Sequence, residues 1–245
     1  MTKRKYVKYN NSIEVAYLDH LDGGGSGFGQ QYIPVVKEKM GKVGHVFEFC
    51  SGPGFIGFSL LANNLCERLT LADINPEAVE VCKETIKSNN LESKVSVYTS
   101  DSLDNIPETE QWDLVVGNPP HWFSADGNQY KKDIRVFDPN FRIHQKFYRD
   151  IRKFLKPSGS VLLQENKEAT SVEDFRGMIE KNGLKIVEVF SMVPTKSKKS
   201  ALLPRFNLEL FYKIFNPRKI FQYFKITKRR ILFPQRFYFI WCKLK

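Results

Sequence analysis

Hydrophobic and polar positions follow two alternating patterns along this chain. Short apolar runs rich in β-branched and aromatic residues predict strands, whereas longer stretches with apolar residues at helical spacing predict helices. Because the two kinds follow one another, the sequence predicts parallel β–α–β units and an open α/β sheet. The predicted strands cover residues 46–50, 68–73, 94–101, 112–118, 160–166, 185–193 and 237–245, and the predicted helices cover residues 55–65, 75–91, 139–156 and 171–183.

The length and composition fit one large domain. The chain has 245 residues, of which 42% are hydrophobic, enough to form a core. We expect an N-terminal segment, residues 1–45, followed by the domain proper, residues 46–245. No stretch of about eighteen apolar residues occurs, so no transmembrane segment is predicted. No apolar signal core follows the basic start, and a cytoplasmic location is expected.

Four cysteines are present, and their spacing carries no signal for a metal. Cys50, Cys66, Cys82 and Cys242 form no C-x-x-C pair, and no histidine lies near them at ligand spacing. We therefore predict no metal site and four reduced, mostly buried thiols. Cys66 and Cys82 are expected in helices, and Cys242 is expected in the last strand.

Positive charge is concentrated near the C-terminus. The net charge is +11, yet residues 195–245 alone carry +13, with Glu209 as their one acid. Residues 195–235 therefore form a long basic insertion before the last strand, with interleaved phenylalanine and tyrosine. Three interpretations remain: contact with nucleic acid, a peripheral surface on anionic membrane, or a substrate lid or subunit interface.

A glycine-rich turn follows the first predicted strand. Residues 52–57, "GPGFIG", form a G-x-G-x-x-G pattern between a strand and a helix, and Asp73 ends the next strand. Glycines at such a turn let the backbone approach a ligand, and the downstream acid can accept ribose hydroxyls. A nucleotide-type ligand is predicted. Glu48, four residues before the first glycine, disfavours a phosphate and suits a cationic ligand.

These residues resemble the first motif of class I S-adenosylmethionine-dependent methyltransferases, which reads acid-x-G-x-G-x-G. Residues 48–54, "EFCSGPG", match it with Cys50 in place of the first glycine. The resemblance implies a Rossmann-like fold with a mostly parallel seven-stranded sheet, and S-adenosylmethionine as the cofactor. It assigns cofactor contacts to Glu48, Cys50, Ser51, Gly52, Gly54, Asp73 on the ribose, Ile74 against the adenine, and Asp101 and Ser102 at the adenine amino group.

A second glycine-rich stretch precedes this motif. Residues 23–32, "GGGSGFGQQY", are expected to form a mobile flap over the cofactor, as often happens in this superfamily. Phe28, Gln30 and Tyr32 are its candidate contacts. The alternative is a flexible linker.

The sequence "NPPHW", residues 118–122, follows the fourth predicted strand. It resembles the N-P-P-aromatic motif of amino-methyltransferases, which include the glutamine methyltransferases of release factors and adenine methyltransferases. The resemblance implies that the Asn118 side chain and the Pro119 carbonyl accept the two N–H groups of a planar nitrogen. Pro120 stiffens the backbone, and Asn118 also lies beside the cofactor. The nitrogen is thereby aimed at the sulfonium methyl.

This chain departs from that motif at its fourth position, where His121 stands and Trp122 follows. Either Trp122 takes the aromatic role at the substrate, or His121 stacks on or hydrogen-bonds the substrate or acts as a general base. The remaining alternative is that His121 is an ordinary loop residue. His144, on the helix 139–156, is expected to be structural.

The predicted activity is methylation of a planar nitrogen in a small molecule or a protein side chain. Three alternatives stay open: methylation of adenine or RNA, transfer or cyclisation of the aminocarboxypropyl group, and a non-catalytic binding protein. A dehydrogenase is disfavoured by Glu48 and by the "NPPHW" sequence.

Overall fold

A computed structural model describes residues 3–125, 131, 133–191 and 236–245. The basic insertion predicted at 195–235 lies outside the described residues. In chain order, the strands are β1 (Lys5–Tyr9), β2 (Ile13–Tyr17), β3 (Val43–Phe49), β4 (Cys66–Asp73), β5 (Val95–Thr99), β6 (Trp112–Gly117), β7 (Trp122–Ser124), β8 (Phe137–Pro139), β9 (Leu155–Asn166), β10 (Leu184–Phe190) and β11 (Phe237–Leu244). The α-helices are α1 (Gly25–Phe28), α2 (Tyr32–Lys39), α3 (Phe55–Ala62), α4 (Pro76–Ser88), α5 (Arg142–Asp150) and α6 (Val172–Lys181).

Seven of these strands form one central sheet in the order β10-β11-β9-β6-β3-β4-β5. Neighbouring strands from β9 to β5 pair in parallel, whereas β11 runs antiparallel to both β9 and β10. This arrangement confirms the predicted mostly parallel seven-stranded α/β sheet. The chain builds the sheet outward from β3 to β5 and then returns to the other side at β6, so the crevice beyond β3 and β6 is a topological switch point.

The two faces of the sheet are covered by separate hydrophobic layers. Along β3, Val46 belongs to the layer packed under α3 and the β1–β2 hairpin, whereas Phe47 and Phe49 belong to the opposite layer. On that opposite side, Phe47 stacks on Trp112, and Phe49 stacks on Phe147 of α5. Both faces are therefore buried, which explains why the central strands read as continuous apolar runs.

Two local predictions from the sequence are wrong. The helix predicted over 139–156 is shorter, because α5 ends at Asp150, a 3-10 turn spans Ile151–Phe154, and β9 already begins at Leu155. Cys66 begins β4 rather than lying in a helix. The β1–β2 hairpin was not predicted at all.

The N-terminal hairpin is held to the domain by polar contacts with α4. The Ala16 N–H donates to the Thr85 hydroxyl, and the Glu14 N–H donates to the Asn89 side chain. In the described part of the chain, no helix combines the length and apolar character needed to cross a membrane.

Candidate active site

A cavity of about 510 Å³ lies at the carboxyl ends of the central strands. Residues that follow β3, β4, β5 and β6 line it, together with Gln164 and Asn166 at the end of β9, as expected for ligand binding in an open α/β sheet. Its walls bring together many residues predicted from the sequence: Glu48, Cys50, Ser51, Gly52, Asp73, Ile74, Asp101, Ser102, Asn118, Pro120, His121 and Trp122.

The turn after β3 has a left-handed backbone at three positions. Cys50, Gly52 and Gly54 have φ angles of +51°, +50° and +79°. A Cβ at Gly54 would also lie 2.8 Å from the Phe58 ring, so only glycine fits there. Cys50 adopts a conformation that side chains disfavour, which gives a physical reason for the glycine found there in the motif.

Glu48 is buried beneath this turn, 2% exposed. Its carboxyl oxygens accept the backbone N–H groups of Ile56 and Gly57 at 3.2 and 2.6 Å, at the start of α3. An added Cβ at Gly57 would lie 2.8 Å from Oε2 of Glu48, so the third glycine makes room for the acid. Burial raises the pKa of Glu48 to about 8, although the two N–H groups partly oppose this.

Asp73 joins the turn to the end of β4. Its Oδ2 accepts the Gly52 N–H at 2.7 Å, and its Oδ1 accepts the Asn75 N–H at 2.9 Å. Burial raises the pKa of Asp73, while these N–H groups act in the opposite direction. Ile74, next in the chain, is 42% exposed at the cavity. The carboxylate is thus fixed at the position where the sequence predicts ribose binding.

Asp101 and Ser102 follow β5. The Asp101 carboxylate pairs with Arg142 at 3.0 Å and with Lys146 at 2.9 Å. Burial alone would raise the pKa of Asp101, but hydrogen bonds from the two cations outweigh it and lower the pKa. The buried Ser102 hydroxyl has no hydrogen-bond partner among the described residues, so it is a polar group left for a ligand.

The N-terminal glycine-rich stretch lines the cavity with backbone rather than with the predicted side chains. Gly23, Gly25 and Gly29 are at the wall. Gln30 is exposed and is not part of the lining. Tyr32 is fully buried away from the cavity, where its hydroxyl donates to the Gly117 carbonyl. The structure thus does not support Tyr32 as a cofactor contact, and the Phe28 side chain lies outside the described part.

The "NPPHW" sequence leaves the end of β6 and runs along the cavity. The Oδ1 atom of Asn118 is buried and has no hydrogen-bond partner in the described part of the chain. Pro119 is buried and does not line the cavity, whereas Pro120 does. Trp122 begins the short strand β7 and is 39% exposed at the rim. An unpaired buried acceptor is costly, so a bound donor at Asn118 would satisfy it.

His121 is held by a buried chain of charged groups. Its Nδ1 lies 2.9 Å from Oε2 of Glu165 in β9. The other oxygen of Glu165 lies 3.0 Å from Nε2 of His144, whose Nδ1 lies 2.6 Å from Asp138. Asp138 also accepts the backbone N–H groups of Ile143 and His144 at the start of α5. Four elements distant in sequence are thereby joined behind the cavity wall.

Most of the side chains in this buried hydrogen-bond network were not predicted from the sequence. Asp138, His144 and Glu165 are all 0% exposed, and His144 was expected to be structural. Glu165 carries a signal that was overlooked, since an acid near the end of a predicted buried strand must have a partner. Gln164 was also missed; it lines the cavity, and its Oε1 has no partner among the described residues.

Sequence comparison adds curated relatives of known activity. A release factor glutamine methyltransferase of Clostridium acetobutylicum is 29% identical over 148 residues, which cover 55% of this chain and 52% of the relative. A ribosomal protein uL3 glutamine methyltransferase of Francisella tularensis is 36% identical over 78 residues, covering 31% of this chain and 24% of that protein. This chain therefore spans about half, or less, of the curated relatives it matches.

Solved structures share the fold at low sequence identity. An O-methyltransferase of Brevibacillus brevis in complex with S-adenosylhomocysteine has a TM-score of 0.52 at 16% identity, covering 88% of this chain and 71% of that one. A Thermus thermophilus 16S ribosomal RNA methyltransferase in complex with S-adenosylmethionine has a TM-score of 0.53 at 14% identity, covering 76% and 47%.

A family model extends the match over most of the chain. The model described as "Methyltransferase small domain" matches residues 29–187. That range contains the glycine turn, the acids after β4 and β5, and the "NPPHW" sequence. The chain therefore belongs to the methyltransferase small-domain family. The comparisons confirm the prediction that it is a methyltransferase with a class I fold.

Proposed function

We propose that this protein transfers a methyl group from S-adenosylmethionine to a planar nitrogen of a small molecule or a protein side chain. The observation that carries the proposal is the buried Oδ1 of Asn118 at the cavity, which has no hydrogen-bond partner among the residues that the structure describes. This atom accepts hydrogen bonds and donates none, so it selects a ligand that presents an N–H group. An unfilled buried acceptor of this kind is rare in folded proteins.

The residues on the cofactor side fit S-adenosylmethionine. The left-handed turn from Cys50 to Gly54 brings backbone to the cavity surface without intervening long side chains. Asp73, fixed by two backbone N–H groups, keeps further lone pairs for ribose hydroxyls. Within the described ranges, the Ser102 hydroxyl has no hydrogen-bond partner, and the sequence predicts that it lies beside the adenine. The side chain buried beneath the turn, Glu48, is an acid and not a cation. The site therefore does not favour a cofactor that carries a phosphate group.

S-adenosylmethionine, when bound, supplies an electrophilic methyl group on a positively charged sulfur. The protein has to position the acceptor nitrogen in line with that methyl and keep water away. Asn118 orients the nitrogen by accepting one of its N–H groups. Positioning of this kind accounts for several kcal/mol of barrier lowering.

The relatives suggest the acceptors to try first. Their names specify glutamine methylation of a release factor and of ribosomal protein uL3. A glutamine side-chain amide has a planar nitrogen with two N–H groups, one of which the Asn118 Oδ1 can accept. The N-P-P-aromatic motif has an aromatic residue at the position of His121. Because this chain differs there, small compounds with a planar nitrogen are equal candidates for the acceptor.

The first experiment is calorimetric titration with S-adenosylhomocysteine, with NADH as the control ligand. We expect micromolar binding of S-adenosylhomocysteine alone. Methyl-labelled S-adenosylmethionine is then offered with bacterial release factors, ribosomal protein uL3 and a panel of planar nitrogen compounds. A product mass that shows aminocarboxypropyl transfer instead of methylation would contradict the proposal, as would absence of S-adenosylhomocysteine binding.

Asn118→Ala tests the positioning role directly. Turnover should fall at least a hundredfold, because the acceptor loses its orienting hydrogen bond, while S-adenosylhomocysteine affinity stays within about twofold. Asn166→Ala is the matched control, since Asn166 also lines the cavity but its Oδ1 accepts the Glu168 N–H within the protein. Retained turnover in Asn118→Ala would rule out this role for Asn118.

A further inference from the structure

His144 is a histidine with a carboxylate on each ring nitrogen. Asp138 lies 2.6 Å from Nδ1 and Glu165 lies 3.0 Å from Nε2, and all three side chains are 0% exposed. A neutral imidazole would turn one lone pair towards a carboxylate oxygen, whereas an imidazolium donates to both. Burial alone would lower the pKa of His144, but the charge of Glu165 and the two hydrogen bonds raise it to about 9. His144 is therefore a buried cation at neutral pH.

This cation determines the state of Glu165 and, through it, the orientation of His121. Burial would raise the pKa of Glu165, but His144 and the hydrogen bond from His121 outweigh that effect and lower it. An ionised carboxylate only accepts hydrogen bonds, so Nδ1 of His121 must carry a proton to contact Oε2 at 2.9 Å. In a neutral ring, the proton-accepting lone pair is then on Nε2.

The position of His121 suits a proton acceptor. The residue lines the cavity three positions after Asn118, and its side chain is 11% exposed, so the ring is screened from bulk water. Among the described residues, Nε2 has no hydrogen-bond partner. The hydrogen bond between Nδ1 and Glu165 therefore leaves Nε2 as the ring nitrogen that can accept a proton from a ligand.

We propose that His121 is the general base of the reaction and that Glu165, His144 and Asp138 are positioning residues that hold its Nε2 ready for a proton. This inference rests on the proposed function. As the acceptor nitrogen forms its bond to the methyl carbon, the carbon–sulfur bond breaks and its electron pair stays on sulfur. The acceptor nitrogen then gives its N–H proton to Nε2 of His121, and the product leaves neutral.

The proposal narrows the substrate class. A general base has a task only when the methylated nitrogen carries a hydrogen that must depart. Acceptors are therefore neutral N–H groups, such as a primary or secondary amide or a ring N–H. Tertiary amines and pyridine-type nitrogens, which have no proton to lose, fall outside this class.

His121→Phe separates proton transfer from stacking. Phenylalanine restores the aromatic ring of the resembling motif, so it preserves stacking but accepts no proton. We expect kcat to fall by a hundredfold or more, with KM for the acceptor found in the methyl-transfer screen and affinity for S-adenosylhomocysteine each within about threefold. A kcat within tenfold of the wild-type value would overturn the proposal and leave stacking as the role of position 121.

Nitrogen-15 NMR of the histidine rings tests the arrangement without any acceptor. The chain has four histidines, so the ring signals can be assigned by substitution. At neutral pH, in the protein saturated with S-adenosylhomocysteine, we expect both nitrogens of His144 to be protonated and His121 to be protonated at Nδ1. A neutral His144, or a neutral His121 protonated at Nε2, would overturn the proposal.

The variant Glu165→Gln connects the kinetic measurement with the NMR measurement of the His121 ring. The amide can turn only one acceptor oxygen to its two neighbours, so the Nδ1–H form of His121 should lose its preference and kcat should fall at least tenfold with little change in KM. If this variant does not fold, the NMR result and His121→Phe still decide the question. Failure of the wild-type protein to bind S-adenosylhomocysteine would defeat the proposed function instead, and the NMR result would still report the state of His121.

Discussion

Two buried glutamates, Glu48 in the cavity lining and Glu165 behind the cavity wall, have pKa values shifted in opposite directions. Glu48, at the cofactor side, is 2% exposed and contacts backbone N–H groups, and its pKa is raised to about 8. Glu165, at the acceptor side, is 0% exposed and lies between two imidazoles, and its pKa is lowered. Both carboxyl groups are desolvated to a similar extent, so the difference between their pKa shifts comes from their hydrogen-bond and charge partners.

The contrast shows how one residue type serves two roles within one fold. Two N–H dipoles do not compensate the burial of Glu48, which is therefore largely protonated at pH 7 and acts as a neutral brace for the turn. A buried imidazolium does compensate the burial of Glu165, which stays charged and can orient a histidine. The cofactor half is thus built from backbone geometry, and the acceptor half is built from buried charge.

The largest expected effect is a loss of stability between pH 6 and pH 8. Native His144 keeps its proton up to about pH 9, whereas an unfolded histidine releases it near pH 6.5. Native Glu48 also keeps its proton up to about pH 8, whereas an unfolded glutamate releases it near pH 4.3. Between pH 6 and pH 8 the native state binds more protons than the unfolded state at both His144 and Glu48. The free energy of unfolding should therefore fall by about 2 kcal/mol for each of these two groups as pH rises.

Urea denaturation at several pH values measures this effect, and Glu48→Gln divides it between the two halves. In that variant the fall should be about half as steep, because the contribution from His144 remains. Between pH 6 and pH 8 the thiols of the unfolded chain stay mostly protonated, so they contribute little to the measured change in the free energy of unfolding. An unchanged slope in Glu48→Gln would mean that Glu48 is ionised in the native state, and the contrast between the two glutamates would fail.

Asp73→Ala sharpens the comparison at the cofactor half. The Gly52 N–H and the predicted ribose hydroxyls lose an ionised acceptor, which is worth about 1.5–3 kcal/mol. Affinity for S-adenosylhomocysteine, measured by calorimetry, should therefore fall about tenfold to a hundredfold. Asp104→Ala, which removes a surface carboxylate paired with Lys146, is the control and should bind normally. Unchanged affinity in Asp73→Ala would put the cofactor site elsewhere.

Cys50→Gly has the smallest expected effect. The φ angle of +51° is unfavourable for cysteine and unstrained for glycine, so the variant should gain up to about 1 kcal/mol in the free energy of unfolding. Affinity for S-adenosylhomocysteine should stay within about twofold. Asn64→Gly, at φ +56° and away from the cavity, should gain less because asparagine tolerates this conformation. A destabilised Cys50→Gly would show that thiol packing outweighs the backbone strain.

The turn and the strand ends on the cofactor side of the cavity were predictable because their sequence signals are local. A strand, three glycines and an acid at the next strand end lie within about twenty-five residues, and each has its own chemical reason. The strands β3, β4 and β6 were likewise placed to within a few residues, since burial on both faces produces continuous apolar runs. A cap residue marks the start of α4, where the Asn75 side chain accepts the Glu77 N–H.

The acceptor half could not be read in the same way. Asp138, His144 and Glu165 come from three elements, and only Glu165, an acid in a predicted buried strand, carries a signal in its own stretch. Their meaning depends on the parallel register that brings β9 beside β6 and on the short helix α5 that turns His144 inward. The β1–β2 hairpin was missed although its own sequence alternates, since Ile13 and Val15 are buried in the core and Glu14 between them is exposed.

The position of β11 in the sheet has a consequence for the cost of folding. β10 ends at Phe190 and β11 begins at Phe237, and the two strands pair as neighbours, with Phe190 opposite Phe239. Arg236 and Phe237 line the cavity, so the chain rejoins the sheet beside the ligand site. Because the entropy of closing a connection rises only slowly with its length, the long stretch of sequence between the two strands adds little to the free-energy cost of pairing β11 with β10.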